Sequence, residues 1–241
     1  MCSKSEKYYN EIYDPIGKDS VADANKVHKF IQKRKHTDGN TLLDVACGTG
    51  ARAGPLRQYS KVEGLDLDAT MLKVAHKKYR KISFHHGDMT NFDLGRQFDA
   101  VVCLFSSIGY VKTKANLQKA IKNIVRHLLS GGDCFLIEPW FAPEQWKVGP
   151  VPTLHVHKTD LKITCMSRSG QRGKVSLLEF QYLVGTPKGI EHRIEYHELG
   201  LFTHEEYWVE FPSAGLKVLP NKHGLDGRGL YIGKKISQIK P

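Results

Sequence analysis

The 241-residue chain contains no apolar run of about eighteen residues, the length a membrane-spanning helix needs. Its longest apolar stretches, 100–105 (AVVCLF) and 134–137 (CFLI), have the length of buried strands. The opening residues, MCSKSEKYYNE, are charged and lack an apolar core, so the expectation is a protein without a secretory signal, kept in the cytoplasm. Cysteine is scarce and odd in number: there are five, with no C-x-x-C pair, and Cys103 and Cys134 lie inside apolar runs. That excludes a disulfide framework and points to a reducing compartment. Proline is also sparse, at 10 residues, and no Ser/Pro-rich linker, internal repeat or low-complexity stretch interrupts the chain. With 40% hydrophobic and 25% charged residues, disorder and collagen-like architectures are excluded as well.

Acidic residues are outnumbered, 25 against 36 Lys and Arg, for a net charge of +11. Such a balance suits a polyanionic partner, whether nucleic acid, membrane surface or phosphorylated substrate. Yet the basic clusters, Lys33–Arg34–Lys35 and Lys77–Lys78 with Arg80–Lys81, stand at the ends of helical patterns, where cations complement the helix dipole.

Periodicity alternates regularly from residue 21 to 140. Val21, Ala24, Val27, Phe30 and Ile31 recur at helical spacing behind the cap candidates Asp19 and Ser20. A strand over 41–46 runs into C-G-T-G. A second strand over 61–67 precedes a helix capped by Asp68, and 82–86 reads as a third. The stretch 98–105 is apolar on both faces, as central parallel strands are. The stripe Leu117, Ala120, Ile121, Ile124 and Leu128 predicts a helix ending at Ser130-Gly131-Gly132, followed by a fifth strand over 134–139. This alternation predicts an α/β fold with a doubly wound, mostly parallel sheet. Beyond Pro150 the texture changes to four short alternating runs, 154–157, 161–166, 176–184 and 191–199, predicting antiparallel strands inserted as a β cap over 151–200. Thr203-His204-Glu205-Glu206 opens one more helix, which Pro212 is expected to shorten, and 216–219 (stopped by Pro220) and 229–233 close the chain. A single domain over 1–241 accommodates all of this.

The segment Leu42–Gly50, LLDVACGTG, carries a strand into a glycine-rich turn, where bare backbone can approach a ligand. Gly48-x-Gly50-x-x-Ala53 also satisfies a dinucleotide fingerprint, and Asp66 at the end of the second strand suits a ribose under either reading. The order of motifs separates the two. D-V-A-C-G-T-G resembles motif I of class I S-adenosylmethionine-dependent methyltransferases, V-E-G-L-D-L-D-A-T-M-L (62–72) their second motif, and His86-Gly87-Asp88-Met89 their third. The resemblance implies a Rossmann-like seven-stranded sheet and S-adenosyl-L-methionine as cofactor. It implies a donor site formed by Asp44, Ala46, Cys47, Gly48, Gly50, Asp66, Leu67, Met71, Asp88, Met89 and Phe105. Within it Asp66 would meet the ribose, Met71 the adenine and Asp88 the adenine amino group.

Six further strings narrow the resemblance: Phe105-Ser106-Ser107-Ile108-Gly109-Tyr110, Glu138-Pro139-Trp140, Leu201-Phe202-Thr203, Gly227-Arg228-Gly229-Leu230-Tyr231, Ile12-Tyr13-Asp14 and Gly17-Lys18-Asp19. Together they resemble the N,N-dimethyltransferases of nucleotide-linked amino deoxysugars, of the desosamine and mycaminose type, over roughly residues 8 to 233. The chain departs from that pattern at Tyr110, where some members carry His, and at Ser20, where they carry Tyr. The resemblance implies an amine acceptor on a nucleotide diphosphate sugar, and a homodimer. Tyr110, after the fourth strand, is the candidate for contacting the acceptor nitrogen or guiding its proton. Tyr13 is expected over the sulfonium, where a ring face attracts cations, with Tyr8 and Tyr9 as helix packing. Trp140 is expected as a pocket wall and Arg228 as a phosphate ligand. His155 and His157, with His192 and His197 nearby, invite a metal, but no carboxylate or cysteine at ligand spacing completes a set, so none is expected. A simple amine such as glycine is the alternative acceptor. An RNA methyltransferase would suit a pI near 9.3. Yet F-S-S-I stands where an N-P-P-Y/F string would, so neither nucleic acid nor membrane is expected as partner.

Overall fold

The computed structural model describes residues 8, 12, 19–34, 37–130 and 134–236. The glycines expected to cap the helix over 117–128, Gly131 and Gly132, lie outside these residues, as do Tyr9, Tyr13 and the 14–18 segment. Helix α1 (Ser20–Arg34) begins where Asp19 Oδ1 accepts the Val21 and Ala22 backbone N–H groups, and buries Ala24, Val27 and Ile31. Strand β1 (Thr41–Val45), α2 (Ala53–Leu56), β2 (Lys61–Asp66), α3 (Ala69–Lys78), β3 (Ser83–His86) and β4 (Ala100–Cys103) follow. Asp68 caps α3 through Thr70 and Met71. After a 3₁₀ turn (Ser107–Val111) come α4 (Lys114–Arg126) and β5 (Cys134–Ile137).

With β10 (Leu216–Asn221) and β11 (Leu230–Lys235) near the end of the chain, the main sheet has the order β10-β11-β5-β4-β1-β2-β3. Strands β1 to β5 are mutually parallel, while β11 is antiparallel to both β5 and β10. Successive residues of one strand feed opposite faces. Leu43, Val45, Val101, Cys103, Phe135 and Ile137 pack against α4 and α5 (His204–Ser213). Leu42, Ala100, Val102, Cys134 and Leu136 pack against α1, α2 and α3. The crossover from β1 reverses direction between β1 and β4, so the loops after these two strands open a crevice, the place where open α/β sheets bind ligands.

The inserted β region is a four-stranded antiparallel meander, β6 (Thr153–Lys158), β7 (Leu161–Arg172), β8 (Val175–Thr186) and β9 (Gly189–Gly200). Its number of strands matches the sequence pattern, but β7, β8 and β9 reach 12 residues each, longer than the alternating runs suggested. Cross-strand pairing carries them through Gly170 and Gly185, where side-chain patterning gives no signal. Tyr8 and Ile12 pack on one face with Val156, Ile163, Cys165, Tyr182 and Val184. The capping box at Thr203 is formed in both directions, and Pro212 sits in the last turn of α5. Pro220 does not stop its strand: it lies inside β10, which is an edge strand, where a missing N–H costs no ladder bond. No helix of the described residues is long and apolar enough to cross a membrane.

Candidate active site

The loop after β1 turns on left-handed backbone: Ala46 (φ 60°), Gly48 (φ 55°) and Gly50 (φ 72°). Only glycine adopts this freely, and a Cβ on Gly48 would meet no atom within 4 Å, so the space above it is open to a ligand. Cys47 N–H is bound by Leu65 and Gly50 N–H by Cys47, which ties the loop to β2. Asp66 accepts from Gly48 N–H at 2.7 Å and from Asp68 N–H at 2.8 Å, so the acidic residue of the second strand fixes the glycine loop as well as facing the crevice mouth. Burial raises its carboxyl above the usual range despite these two donors. Leu67, exposed, and Met71, half-buried, follow it at the start of α3. Asp88 caps its own turn through Thr90 N–H and Oγ1, both at 2.8 Å, using one carboxylate oxygen. Met89 packs against the core and its carbonyl accepts from Asn123.

Asp44, near the end of β1, is buried. Its side chain is 3% exposed and makes no hydrogen bond among the described residues, and burial pushes its carboxyl up to about 7. Arg52 draws that value down and Asp66 draws it up. Thr49 Oγ1, in the same loop, is buried without a hydrogen-bond partner among the described residues. Buried polar atoms are ordinarily satisfied. A ligand that brings an ammonium and a carboxylate, as the amino-acid end of S-adenosylmethionine does, would supply partners to both. The residues present thus fit that cofactor.

On the other side of the crevice, the segment after β4 is strained. Phe105 (φ 57°) and Ser106 (φ 58°) are successive non-glycine residues in the left-handed region. Three contacts hold them. Glu138 Oε2 accepts Phe105 N–H at 2.6 Å, Ser106 Oγ donates to the Pro139 carbonyl at 2.7 Å, and Ser107 N–H binds Leu104. The Phe105 ring lies under the Arg52 guanidinium (4.7 Å) and beside that of Arg228 (5.7 Å). Arg52 itself pairs with Asp23 of α1 at 3.2 Å. Arg228 is drawn inward, its side chain 18% exposed, to Glu138 at 3.2 Å and to Asp226. Two carboxylates share one guanidinium there, and Glu138, pushed up by burial, titrates at about 7.

The cap is joined to the carboxyl ends of β4 and β5. Tyr110, 38% exposed, has its hydroxyl 2.8 Å from His197 Nδ1 on β9. Lys112 binds Glu198 at 2.8 Å, and a Cβ on Gly109 would press on both Leu199 and Trp140 at 3.1 Å. Trp140 Nε1 donates to Ser176 Oγ at 2.9 Å, and its ring packs on Phe141 and Trp146. The structure thus brings the donor-motif residues to one crevice and Phe105, Tyr110, Trp140 and Arg228 to its other wall, whereas Tyr13 lies outside the described residues. Arg52 escaped the sequence reading, Glu138 entered it only within a motif string, and His197 only as one of four cap histidines. Among the described residues no group of three His, Cys, Asp or Glu side chains converges as a metal set.

Residues 42–132 match the methyltransferase-domain family. The chain is 39% identical over 229 residues to dTDP-3-amino-3,6-dideoxy-alpha-D-glucopyranose N,N-dimethyltransferase of Streptomyces fradiae, covering 92% of this chain and 89% of that one. It belongs to the amino-sugar N-methyltransferases of class I. Among solved structures, DesVI of Streptomyces venezuelae superposes with a TM-score of 0.91 at 34% identity, covering 98% of this chain and all of the other. The S-adenosylmethionine-bound amino pentose methyltransferase CalS10 of Micromonospora echinaspora gives 0.85 at 35% identity, over 94% and 96% of the two chains. The protein is therefore an S-adenosylmethionine-dependent methyltransferase, and the dehydrogenase reading of its glycine turn falls away.

Proposed function

We propose that this methyltransferase methylates the amino group of a nucleotide-linked amino deoxysugar. The observation that carries the proposal is the reach of the similarity: the relatives that act on such sugars match nine-tenths of the chain, a length that takes in the cap as well as the donor half. When bound, S-adenosylmethionine supplies an already activated methyl on a sulfonium, so the chain's own task is to bind, orient and exclude water. Orientation of this kind is worth roughly 7–11 kcal/mol in favourable cases. Asp44 and the glycine loop hold the amino-acid end of the donor, Asp66 its ribose, and Asp88, with Leu67, Met71 and Met89, its base. The acceptor enters between Tyr110 and Trp140, beneath the cap over 151–200, with Tyr110 at its reacting end.

Arg228 is the proposed ligand of an acceptor phosphate, and it has a second part. Its guanidinium already meets Glu138 and Asp226 and stacks by Phe105, so it fixes the strained wall of the crevice. The net charge of +11 then draws the anionic acceptor in as a long-range field. A homodimer, implied by the resemblance, is supported by the other face of the cap. There Met166, Leu183, Ile190 and Tyr196 are exposed, and Thr164, Met166, Gln181, Leu183 and His192 line a depression of about 330 Å³. Light scattering on Leu183→Glu tests it: a dimer that persists removes this face from consideration.

The acceptor is tested with labelled donor and a panel of nucleotide-linked amino sugars, glycine and other simple amines, and RNA. Transfer to a nucleotide-linked amino sugar alone supports the proposal, and transfer to glycine or RNA instead refutes it. Asp66→Ala should weaken the donor by roughly 1.5–3 kcal/mol, the scale of a lost charged hydrogen bond. An unchanged dissociation constant in a folded variant would remove Asp66 from the ribose.

A further inference from the structure

An amine that is protonated has no lone pair with which to attack a methyl carbon. Each transfer also leaves the nitrogen as an ammonium, so a proton must depart for every methyl accepted. A base or a proton path at the acceptor end of the crevice serves that need.

Tyr110 is the polar group at that end, and it does not stand alone. Its hydroxyl meets His197 Nδ1 at 2.8 Å, and His197 Nε2 lies 3.5 Å from Glu195 Oε2. His197 and Glu195 are two apart on β9 and so project from the same face of the cap sheet. Glu195 is buried at 5% exposure. His197 Nε2 is buried too and makes no hydrogen bond of good geometry among the described residues. If the phenol O–H donates to Nδ1, the proton of neutral His197 sits on Nε2, aimed toward a buried carboxylate. Among the described residues the groups that face His197 from the packed elements are few. They are Tyr110 from the 3₁₀ turn, the Phe180 ring edge at 5.4 Å from β8, and Glu195 on its own strand. Tyr182 and Cys165, farther along β8 and β7, are pushed up by burial and stay protonated. Arg193 is stacked on Tyr8 and paired with Glu191, and Lys112 with Glu198, so the nearest opposite charge to a protonated His197 is Glu195.

We propose that Tyr110, His197 and Glu195 form a proton relay that carries the acceptor's ammonium proton out of the crevice and into the cap. The proposal rests on the reading of Tyr110 as the residue at the acceptor's reacting end. The ammonium N–H gives its proton to the phenol oxygen while the phenol O–H proton passes to Nδ1, so Tyr110 is neutral before and after. His197 becomes an imidazolium whose Nε2–H faces the Glu195 carboxylate. The freed lone pair bonds to the methyl carbon as the carbon–sulfur bond breaks and its pair goes to sulfur. Charge balances: a sulfonium and a neutral amine become a thioether and an alkylammonium, and one proton rests on His197. The partly exposed imidazole then releases it to solvent.

The relay has two readouts. Nitrogen NMR of histidine-labelled wild-type protein should show His197 protonated on Nε2 and bare on Nδ1 when neutral; a proton on Nδ1 overturns the relay without any acceptor being known. Kinetics supply the second. His197→Gln should lose on the order of 100-fold in kcat/KM near pH 6.5 and only a few-fold above pH 9.5, where the free amine is already neutral. Tyr110→Phe should follow the same profile, with donor affinity by calorimetry unchanged in both. His197→Asn replaces the Gln variant if the latter does not fold. A deficit equal at every pH overturns the relay. If wild-type enzyme ignores every nucleotide-linked amino sugar but methylates another amine, the acceptor reading fails, and the same profile with that amine decides the relay.

Discussion

Glu138 controls more of the crevice than its position at the end of a buried strand suggests, and replacing it separates two of its effects. Two successive left-handed residues, Phe105 and Ser106, cost roughly 1–3 kcal/mol each. The hydrogen bond from Phe105 N–H to the Glu138 carboxylate, at 2.6 Å, returns about 1.5–3 kcal/mol. In Glu138→Ala that hold is gone and the Arg228 guanidinium keeps only Asp226, so the wall relaxes and must be strained again on binding. The expected result is a fall in kcat/KM of roughly 10- to 100-fold at unchanged fold, read by steady-state kinetics and circular dichroism. Glu138→Gln keeps an acceptor for Phe105 and should recover most of the loss. The same substitution has a pH signature. The Glu138 carboxyl is raised from an ordinary 4.5 to about 7, so the folded protein holds a proton that the unfolded chain has lost. Its stabilising effect is complete below about 4.5 and is lost as pH rises through about 7, a slope near 1.4 kcal/mol per pH unit. Asp44 adds a slope of the same sign, so urea denaturation of wild type and Glu138→Gln at pH 5 to 8 isolates the Glu138 share as a difference. A folded Glu138→Ala enzyme with wild-type kinetics would refute the positioning role, and parallel pH slopes would refute the titration.

Three further outcomes follow from the crevice. Because Asp44 is raised to about 7 by burial and a donor ammonium favours its ionised form, donor affinity should climb by up to about tenfold per unit below pH 7 and level off above it. Calorimetry on Asp44→Asn should show that dependence flattened. Ser176→Ala leaves the half-buried Trp140 N–H without its acceptor, which should cost about 1–3 kcal/mol and show as several degrees in Tm. Gly48→Ala places a Cβ in open space on a left-handed residue, so stability should fall by only about 1 kcal/mol while the donor loses far more affinity. Equal losses in both would mean that the space above Gly48 is not where the donor lies.

The parallel sheet was legible because local and global preferences agree in it. Leu42-Leu43-Asp44-Val45 feeds both faces of a central strand, and the caps at Asp19, Asp68 and Thr203 stand where the side chains bond the first turns. The cap was legible in strand number but not in length. Its strands continue through Gly170 and Gly185 on backbone pairing alone, which leaves no trace in side-chain periodicity. Pro220 misled for a related reason. A proline rules out a central strand but is harmless at an edge, and whether β10 is an edge depends on where β11 inserts.

The proposed donor residues stand in three short motifs, 42–50, 62–72 and 86–89, because a glycine turn, its preceding acid and the next strand's acid act through nearby backbone. The opposite wall of the crevice could not be read from any one such motif, since each of its decisive contacts joins segments far apart in the chain. Phe105 depends on Glu138 thirty-three positions later, Arg228 returns to Glu138 from ninety positions away, and Tyr110 meets His197 across eighty-seven. A lone Glu at the end of an apolar strand and a His among several on an alternating strand carry no local mark of these partners. Chemistry that is common to all donors of one kind therefore sits in a local motif, while chemistry that must suit one acceptor is assembled from pairings between the sheet and its insertion. The Tyr110–His197 contact is of the second sort. It joins a turn fixed by the parallel sheet to a strand that exists only because the cap is inserted, so altering the cap strand while keeping the donor loop should change which amines react and leave donor binding in place.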